Sequence, residues 1–198
     1  MTKATKRTRA LTGTAMLAAV ATILMYMEFP IPIMPGFIKM DISELPALIA
    51  SFAYGPLSGI AVCLIKNLIK LPSTSTAAVG ELFNFVMGAL FVGVAGLIYK
   101  RNKTRKGAIV GALLGALVMA VVSVPYNYFI VYPAYVVMYH LPLDAIIGMY
   151  QAINPNVNGL LACLLVFNLP FTFVKGALDA VLCFLVYKPL SPILHGRK

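Results

Sequence analysis

A short basic stretch, Lys100-Arg-Asn-Lys-Thr-Arg-Lys106, places five cations in seven residues and separates two long apolar runs. Loops rich in Lys and Arg that flank membrane spans stay on the cytoplasmic side. We therefore expect this basic loop, residues 100–106, to lie inside the cell. Its position limits how often the rest of the chain can cross a membrane, and it decides the face on which each connection lies.

The composition identifies the class of protein. Of 198 residues, 61% are hydrophobic and 11% are charged, whereas soluble domains are about half apolar and about a quarter charged. We expect one transmembrane domain over residues 1–198. The net charge of +10 gathers at both termini and in the basic loop, which is typical of orientation signals and lipid headgroup contact rather than nucleic-acid binding. Cys63, Cys163 and Cys183 lie in apolar runs and are predicted to be buried, reduced thiols.

The first apolar run follows four basic residues, as in a secretion signal, but no small-residue cleavage site closes it. We expect a retained first span at 10–28. Ala15 and Ala19 lie on one face of it, and small side chains at this spacing allow another helix to approach closely, within the chain or from a partner. Gly111 and Gly115 in a later run have the same spacing.

Residues 43–70 are long enough for one span, but Tyr54-Gly-Pro56 interrupts them. Ser43 can cap a helix that begins at residue 44, and Pro56 suits the first turn of a second helix. If the N-terminus and the basic loop are both inside, an even number of crossings separates them. The sequence therefore predicts two short helices, which implies local membrane thinning or burial within the bundle.

The remaining runs complete the predicted topology. The apolar piece 157–167 is too short to cross a membrane, so we expect it to form a helix at the outer surface or to fold into a long outer loop. The predicted fold is an all-α membrane protein, a compact bundle of six transmembrane helices with both termini cytoplasmic. The predicted spans are 10–28, 44–54, 56–70, 81–99, 107–131 and 170–187, and the predicted outer loops are 29–43, 71–80 and 132–169.

Polar residues from three spans converge near the outer face in this topology. Such a cluster, beside aromatic and thioether side chains, suits a flat ring with a polar edge and a hydroxylated tail, because an amide offers a donor and an acceptor side by side. The polar residues are Glu81, Asn84, Asn127 and Lys175, with Lys39, Asp41 and Thr74 in the loops above them. Aromatic side chains expected at the same level include Tyr128 and Phe171.

Lys175 and Asp179 lie one helical turn apart in the last span. Two interpretations remain open. The residues can neutralise each other as a pair of opposite charges four residues apart, or they can mark a substrate site, since ionisable groups at membrane depth are costly.

Sequence signals of catalysis are missing. The chain has no glycine-rich phosphate loop followed by Lys and Ser or Thr, and no nucleophile elbow or paired-carboxylate motif. His140 and His195 are remote from acidic and cysteine clusters. We expect a protein that is not an enzyme, binds no metal and does not hydrolyse ATP by itself.

The order and spacing of several short segments resemble the substrate-binding S components of energy-coupling factor (ECF) vitamin importers, and among them most closely the riboflavin-specific members. The resemblance covers essentially the whole chain. The segments are Phe37-Ile-Lys-Met-Asp41, Pro46-Ala-Leu-Ile49, Phe52-Ala-Tyr-Gly-Pro56, Lys66-Asn67, Gly80-Glu-Leu-Phe-Asn84-Phe85, Asn127-Tyr-Phe129, Tyr150-Gln-Ala-Ile-Asn-Pro155 and Asn168-Leu-Pro-Phe-Thr-Phe-Val-Lys175-Gly176.

The resemblance implies six transmembrane helices with riboflavin bound near the outer face as the transported substrate, and no cofactor. It also implies a complex in the cell membrane with a membrane T component and two cytoplasmic ATPases. Ala15 and Ala19 match the surface that meets the T component, and residues 29–44 match an outer gate. The implied flavin contacts are Asn127 and Lys175, then Glu81, Asn84, Lys39 and Asp41.

Thr172 departs from the family pattern, which has Asn three residues before the last-helix Lys. A hydroxyl can still bond a ring edge, but it does not present the paired donor and acceptor of an amide. Two other functions stay open: an S component for another vitamin or precursor, and a partner-independent secondary transporter. The chain shows no inverted repeat, which disfavours the transporter.

Overall fold

The computed structural model describes residues 3–74, 76–140 and 142–195, and most of them are helical. The α-helices are α1 (Lys3–Tyr26), α2 (Glu44–Tyr54), α3 (Pro56–Lys70), α4 (Val79–Arg101), α5 (Arg105–Tyr126), α6 (Tyr132–Tyr139), α7 (Leu143–Gln151), α8 (Leu160–Cys163) and α9 (Leu169–His195). The other elements are β1 (Phe29–Pro30), β2 (Lys39–Met40), a 3₁₀ turn (Leu71–Ser73), a first π-turn (Asn127–Val131) and a second π-turn (Leu164–Asn168).

The break between α2 and α3 lies where the sequence predicts it. Gly55 has φ of +109°, a backbone conformation that side-chain-bearing residues rarely adopt. Pro56 then opens α3, where its missing N–H costs nothing. Almost all of α2 is buried, because it packs against α1, α3, α4 and α9.

Four helical stretches in the described part are long and apolar enough to cross a membrane, by length and composition. They are Ala4–Tyr26, Val79–Arg101, Arg105–Met138 and Leu160–Tyr187. The first and the fourth predicted spans, 10–28 and 81–99, therefore correspond to helices with somewhat different ends.

Helices occupy much of the predicted outer loop 132–169. The predicted fifth span, 107–131, continues into α6, and the helix that holds the predicted sixth span, 170–187, already begins at Leu160. Pro133 and Pro170 each follow a π-turn by two residues. A proline ring crowds the carbonyl four residues earlier, and the wider π-turn relieves that crowding without ending the helix. The apolar piece 157–167 is therefore largely part of this last long helix.

The predicted loops 29–43 and 71–80 are also partly ordered. Phe29 pairs with Met40, and Pro30 with Lys39, in an antiparallel two-stranded ribbon. The second loop contains the 3₁₀ turn, and α4 begins at Val79. Ser43 precedes α2 but makes no capping hydrogen bond there, so its predicted capping role is wrong.

The basic loop lies at one end of the bundle. Arg101 ends α4, Arg105 begins α5, and the Thr104 hydroxyl caps α5 by accepting from the Gly107 N–H at 3.0 Å. At the same end, the Phe52 ring of α2 lies 4.9 Å from that of Tyr99 in α4. Of the predicted basic tail, residues 196–198 lie outside the described residues.

The main core joins α1 to α5 and α9, and glycines bring α4 and α5 into backbone contact. A Cβ added at Gly115 would lie 2.5 Å from the Phe91 carbonyl oxygen, and one added at Gly111 would lie 2.8 Å from that of Ala95. The four-residue glycine spacing therefore serves packing within the chain. Cys63, Cys163 and Cys183 are buried and free, as predicted.

Replacing Gly115 by alanine should lower the free energy of unfolding by about 1–3 kcal/mol, because α4 and α5 must move apart to admit the methyl group. Gly148→Ala is the matched control, since a Cβ at Gly148 of α7 meets no atom within 4 Å. There the better helix propensity of alanine should raise stability by up to about 1 kcal/mol. Thermal unfolding of both variants in one detergent checks this, and equal shifts would contradict it.

Candidate functional site

A cavity of about 180 Å³ lies at the end of the bundle opposite the basic loop. Its wall is built from the C-terminal ends of α1 and α3, loop 29–43, the starts of α2, α4, α6 and α9, part of α5, and both π-turns. The structure therefore brings most of the predicted polar and aromatic residues together. Those in the wall are Lys39, Asp41, Glu81, Asn84, Asn127, Phe171, Thr172 and Lys175.

Two predicted residues lie elsewhere. Thr74 is outside the wall, but its hydroxyl donates to Glu81 Oε2 at 2.7 Å. Tyr128 is 39% exposed and packs edge-on against Phe129. Neighbouring residues on a helix point in very different directions, so the turn that directs Asn127 into the cavity directs Tyr128 away from it. The expectation that Tyr128 contacts the ligand is not supported by this placement.

Lys175 is one of three lysines in the cavity wall, with Lys39 and Lys70. Its Nζ donates to Asp41 Oδ2 at 2.8 Å and lies 3.1 Å from Glu44 Oε2. These two ion pairs join α9 to loop 29–43 and to the start of α2. Burial alone would raise the pKa of the Asp41 carboxyl, but Lys175, Lys66 and the Ser43 hydrogen bonds hold that pKa below its usual range.

Lys66 of α3 is fully buried behind the wall. Its Nζ donates to Glu44 Oε1 at 2.6 Å and to Ser43 Oγ, and the Ser43 hydroxyl in turn donates to Asp41. This contact is the physical reason why Ser43 does not cap α2: its hydroxyl is bonded within the charged network. The network links Lys66, Ser43, Asp41, Glu44 and Lys175, and it ties three helices to one loop.

Of the two interpretations left open for Lys175 and Asp179, the neutralising pair within the last span is wrong. Lys175 reaches Asp41 and Glu44 instead. Asp179 is fully buried, and neither of its carboxylate oxygens has a hydrogen-bond partner within the described ranges. The long side chain of Lys175 reaches carboxylates that are distant in the sequence but near in the fold. Proximity in the sequence therefore did not decide which carboxylate Lys175 pairs with.

Glu28 holds the loop ribbon to α3. Its Oε1 accepts from Lys39 Nζ at 2.9 Å and from Lys70 Nζ at 3.0 Å. Burial would raise the pKa of the Glu28 carboxyl, but the hydrogen bonds and charges of Lys39 and Lys70 outweigh it and lower that pKa. Lys70 also donates to the Met25 carbonyl oxygen at 3.2 Å.

Glu81 presents a carboxylate to the cavity from the first turn of α4. Two hydroxyls bond the same oxygen, Oε2: Thr74 at 2.7 Å and Thr76 at 3.0 Å. Among the described residues no hydrogen bond reaches Oε1, so that oxygen can accept from a ligand hydroxyl. Thr74 therefore acts on the site through Glu81.

Besides Asn84 of α4, two amides of the cavity wall come from the first and the second π-turn. Asn127 Nδ2 donates to the Ser123 carbonyl oxygen at 2.8 Å. Asn168 accepts from the Tyr150 hydroxyl at 2.7 Å and donates to the Tyr132 hydroxyl at 3.4 Å. The ring of Phe37, from loop 29–43, packs edge-on against Tyr132 and Tyr150. The loop is thus attached to the α6–α7 segment as well as to α9.

Sequence reasoning did not assign several of these residues to the site. Glu44, Lys70, Tyr132 and Asn168 line the cavity, and Lys66 supports it. A signal for Lys66 was available, because a lysine in an apolar helix needs a carboxylate partner. Prolines two residues after Val131 and Asn168 were a signal for the two π-turns.

The arrangement offers binding chemistry. Among the described residues, no group of three or more His, Cys, Asp or Glu side chains could hold a metal ion. The wall instead combines amides, three lysines and four carboxylates with apolar side chains, and polar groups set among apolar ones are the pattern of a small-molecule site.

Comparison with known proteins gives a consistent result. A family model described as the substrate-specific component of ECF transporters matches residues 9–187. The chain is 32% identical over 180 residues to the riboflavin transporter RibU of Staphylococcus aureus (strain TCH60), covering 91% of this chain and 89% of that protein. It is 33% identical over 187 residues to the riboflavin transporter FmnP of Bacillus subtilis (strain 168), covering 93% of each.

A solved structure, described as the S component of a bacterial ECF transporter, matches the fold with a TM-score of 0.74 and 31% sequence identity. The match covers 95% of this chain and 98% of that one. The family resemblance predicted from the motifs is confirmed. The chain belongs to the substrate-specific S components of ECF transporters.

Proposed function

We propose that this chain is the riboflavin-binding S component of an ECF importer and takes up riboflavin together with a T component and two cytoplasmic ATPases. The observation that carries the proposal is the cavity wall, where Asn127, Lys175 and Glu81 face one space. Two relatives at about one-third identity over nearly the whole chain are named riboflavin transporters, which supports the choice of ligand.

Each part of the flavin has a complementary region in the proposed site. The polar edge of the ring would meet Asn127, Lys175 and Thr172, with Phe171 against the ring. The ribityl hydroxyls would donate to Glu81 and reach Asn84, Lys39 and Asp41 in the remaining wall. Riboflavin is the substrate in this proposal, no cofactor takes part, and the chain itself catalyses no reaction.

We infer that six helices, α1 to α5 and α9, cross the cell membrane, with both termini and the basic loop in the cytoplasm. The helices α2 and α3 have 11 and 15 residues, or about 16 and 22 Å at 1.5 Å per residue. The hydrocarbon core is about 30 Å thick. Burial of α2 among four neighbours supports crossing within the bundle rather than in contact with lipid.

The surface proposed for the T component is the α1 face that carries Ala15 and Ala19. Both residues are exposed, whereas Ala18 is buried against the core. Their small side chains are therefore not used for packing inside this chain. An exposed small-residue face in a membrane helix lets a partner helix approach closely.

Binding of riboflavin by the purified protein should quench flavin fluorescence saturably at submicromolar flavin, with one site per chain. Asn127→Leu should weaken binding by at least about tenfold, because it removes a ring-edge partner and leaves a ligand polar group unpaired. Asn158→Leu, at an exposed loop position, is the matched control and should bind as the wild type does.

Absence of saturable quenching by the wild-type protein would overturn the assignment. Equal affinities of the Asn127→Leu and Asn158→Leu proteins would place the flavin elsewhere. Stronger competition by another vitamin than by unlabelled riboflavin would keep the family assignment and change the substrate.

A further inference from the structure

A carboxyl group that the proposed ligand does not use lies one helical turn below Lys175. Asp179 belongs to α9, is fully buried, and lies outside the cavity wall. Within the described residues neither of its oxygens has a hydrogen-bond partner. Four residues along a helix correspond to about 6 Å, so Asp179 lies that much deeper in the bundle than Lys175. An ionised carboxylate in such a place is very costly, whereas a carboxylic acid is uncharged.

The buried charges beside Asp179 already balance without it. The two ammonium groups are those of Lys66 and Lys175. Their partners are the two carboxylates of Asp41 and Glu44. All four charges act on Asp179 electrostatically. An ionised Asp179 would add one unbalanced negative charge inside the bundle, which is strongly unfavourable. The arrangement is therefore neutral only if Asp179 keeps its proton.

The other titratable groups on the elements packed against α9 do not change this balance. The helix α5 carries such side chains only at its two ends, the second π-turn carries none, and α2 adds only Tyr54 at its far end. The thiols of Cys63 and Cys183 interact with Asp179, but a thiol is uncharged at pH 7. The protonation of Asp179 is thus determined by the four charges of the network.

One of these four charges lies on a segment that shifts when a ligand enters. The cavity has a volume of about 180 Å³, less than the roughly 300 Å³ or more of small-molecule sites, so part of its wall has to move to admit a ligand. Loop 29–43 contains only a ribbon of two residue pairs and can shift without unwinding a helix. Asp41 leaves Lys175 when this loop lifts, whereas Lys66, Glu44 and Lys175 stay on their helices.

We propose that Asp179 is a proton-binding site and the reserve counter-ion of Lys175. While Asp41 is in place, Asp179 keeps its proton. When Asp41 moves away with its loop, the Asp179 carboxyl group ionises and its proton passes to water that enters the opened cavity. The carboxylate so formed pairs with Lys175 one turn above it, a contact that this structure lacks because Asp41 is still bound. The buried network is neutral in both states, since one carboxylate replaces the other.

The exchange lowers the cost of opening the loop. Without a replacement anion, the Lys175 ammonium would keep only Glu44, which Lys66 also holds. Removing one partner from a buried ion pair is strongly destabilising, and ionised Asp179 offsets that loss. Opening then releases one proton, so loop 29–43 should open less readily as the pH falls. The proposal concerns the loop and the buried network, and it does not depend on the identity of the ligand.

A double-mutant cycle tests the exchange, because Asp41→Asn removes the first anion as loop opening does. Thermal unfolding in one detergent at pH 7 is measured for each single variant and for Asp41→Asn, Asp179→Asn. The Asp179→Asn protein should unfold within about 2 °C of the wild type, since one uncharged group replaces another. Asp41→Asn should lower the midpoint by about 5 °C. The double variant should lose at least about 12 °C, more than the sum, because Lys175 then has no second anion.

Infrared spectra detect the proton directly, since a carboxylic acid and a carboxylate absorb at different frequencies. The difference between the wild type and Asp179→Asn at pH 7 should contain a carboxylic-acid band. That band should be missing from Asp41→Asn, so the exchange is tested even if the double variant does not fold. The matched control is Asp144→Asn, at an exposed position in the first turn of α7. Its difference spectrum should contain a carboxylate band, and its effect on unfolding should add to that of Asp41→Asn.

The proposal is overturned if the wild type lacks the Asp179 carboxylic-acid band, because Asp179 then holds no proton. It is equally overturned if the band persists in Asp41→Asn, or if the midpoint losses of the two single variants simply add in the double variant. Either of those results would make Asp179 a permanently neutral packing residue. None of these measurements uses riboflavin, so a failure of the proposed function, recognised by the absence of saturable riboflavin binding, leaves their outcome unaffected.

Discussion

Replacing Lys66 by methionine should lower the free energy of unfolding by about 3–5 kcal/mol, because it removes one partner of a buried ion pair and leaves an uncompensated charge. Lys66 is fully buried and donates to Glu44 Oε1 at 2.6 Å. Thermal unfolding in detergent measures the effect. For a chain of this size the midpoint should fall by roughly 10 °C.

The matched control is Lys39→Met, which removes an ammonium from a partly exposed pair with Glu28. Exposed pairs contribute at most about 1 kcal/mol, so this variant should unfold close to the wild type. The double variant Lys66→Met, Glu44→Gln should recover part of the loss, because the orphaned charge is gone. A Lys66→Met midpoint within about 2 °C of the wild type would show that the buried pair contributes little.

Replacing Lys175 by methionine should weaken riboflavin binding at least about 100-fold, which corresponds to the roughly 3 kcal/mol of a charged hydrogen bond and a broken buried pair. The Lys175 ammonium pairs with Asp41 and Glu44 in the cavity wall. Without it, Asp41 loses its ion-pair partner and Glu44 keeps only Lys66, so both carboxylates would repel the flavin carbonyls of the proposed complex. Quenching titrations, made well below the unfolding midpoint of each variant, measure the loss.

A second substitution separates the two causes. In the Lys175→Met, Asp41→Asn protein one of the orphaned anions is neutral, so affinity should recover by up to about tenfold but should not reach the wild type, because the donor is still missing. Full recovery would assign the loss to repulsion alone. A Lys175→Met protein with affinity within about fivefold of the wild type would exclude Lys175 as a ligand contact.

Features with a local physical cause were predictable from the sequence. Gly55-Pro56 ends one helix and begins another whatever the surroundings are, since each residue restricts the backbone directly. The basic loop and the polar cluster were predicted at opposite ends of the bundle, and the cavity does lie at the end opposite Arg101 and Arg105. The alternation of charged and apolar runs, together with the known rise of a helix, is enough to assign the basic loop and the polar cluster to opposite ends of the bundle.

Features that depend on contacts across the fold were not predictable. Lys175 has an acidic residue one turn away, but it bonds Asp41, which is 134 positions distant in the chain. The predicted sixth span begins at residue 170, whereas the helix that holds it begins at Leu160. The π-turn before Pro170 keeps the helix continuous and directs Asn168 into the cavity. The sequence alone does not show that a π-turn will accommodate the proline and keep the helix continuous.

Loop 29–43 is attached to the rest of the protein in two chemically different ways. The Glu28, Lys39 and Lys70 cluster is partly open to water, so dissolved ions screen it. The packing of Phe37 on Tyr132 and Tyr150 carries no charge and is indifferent to salt. We therefore expect the attachment of loop 29–43 to weaken only in part as ionic strength rises, because the ion pairs are screened while the Phe37 contacts persist.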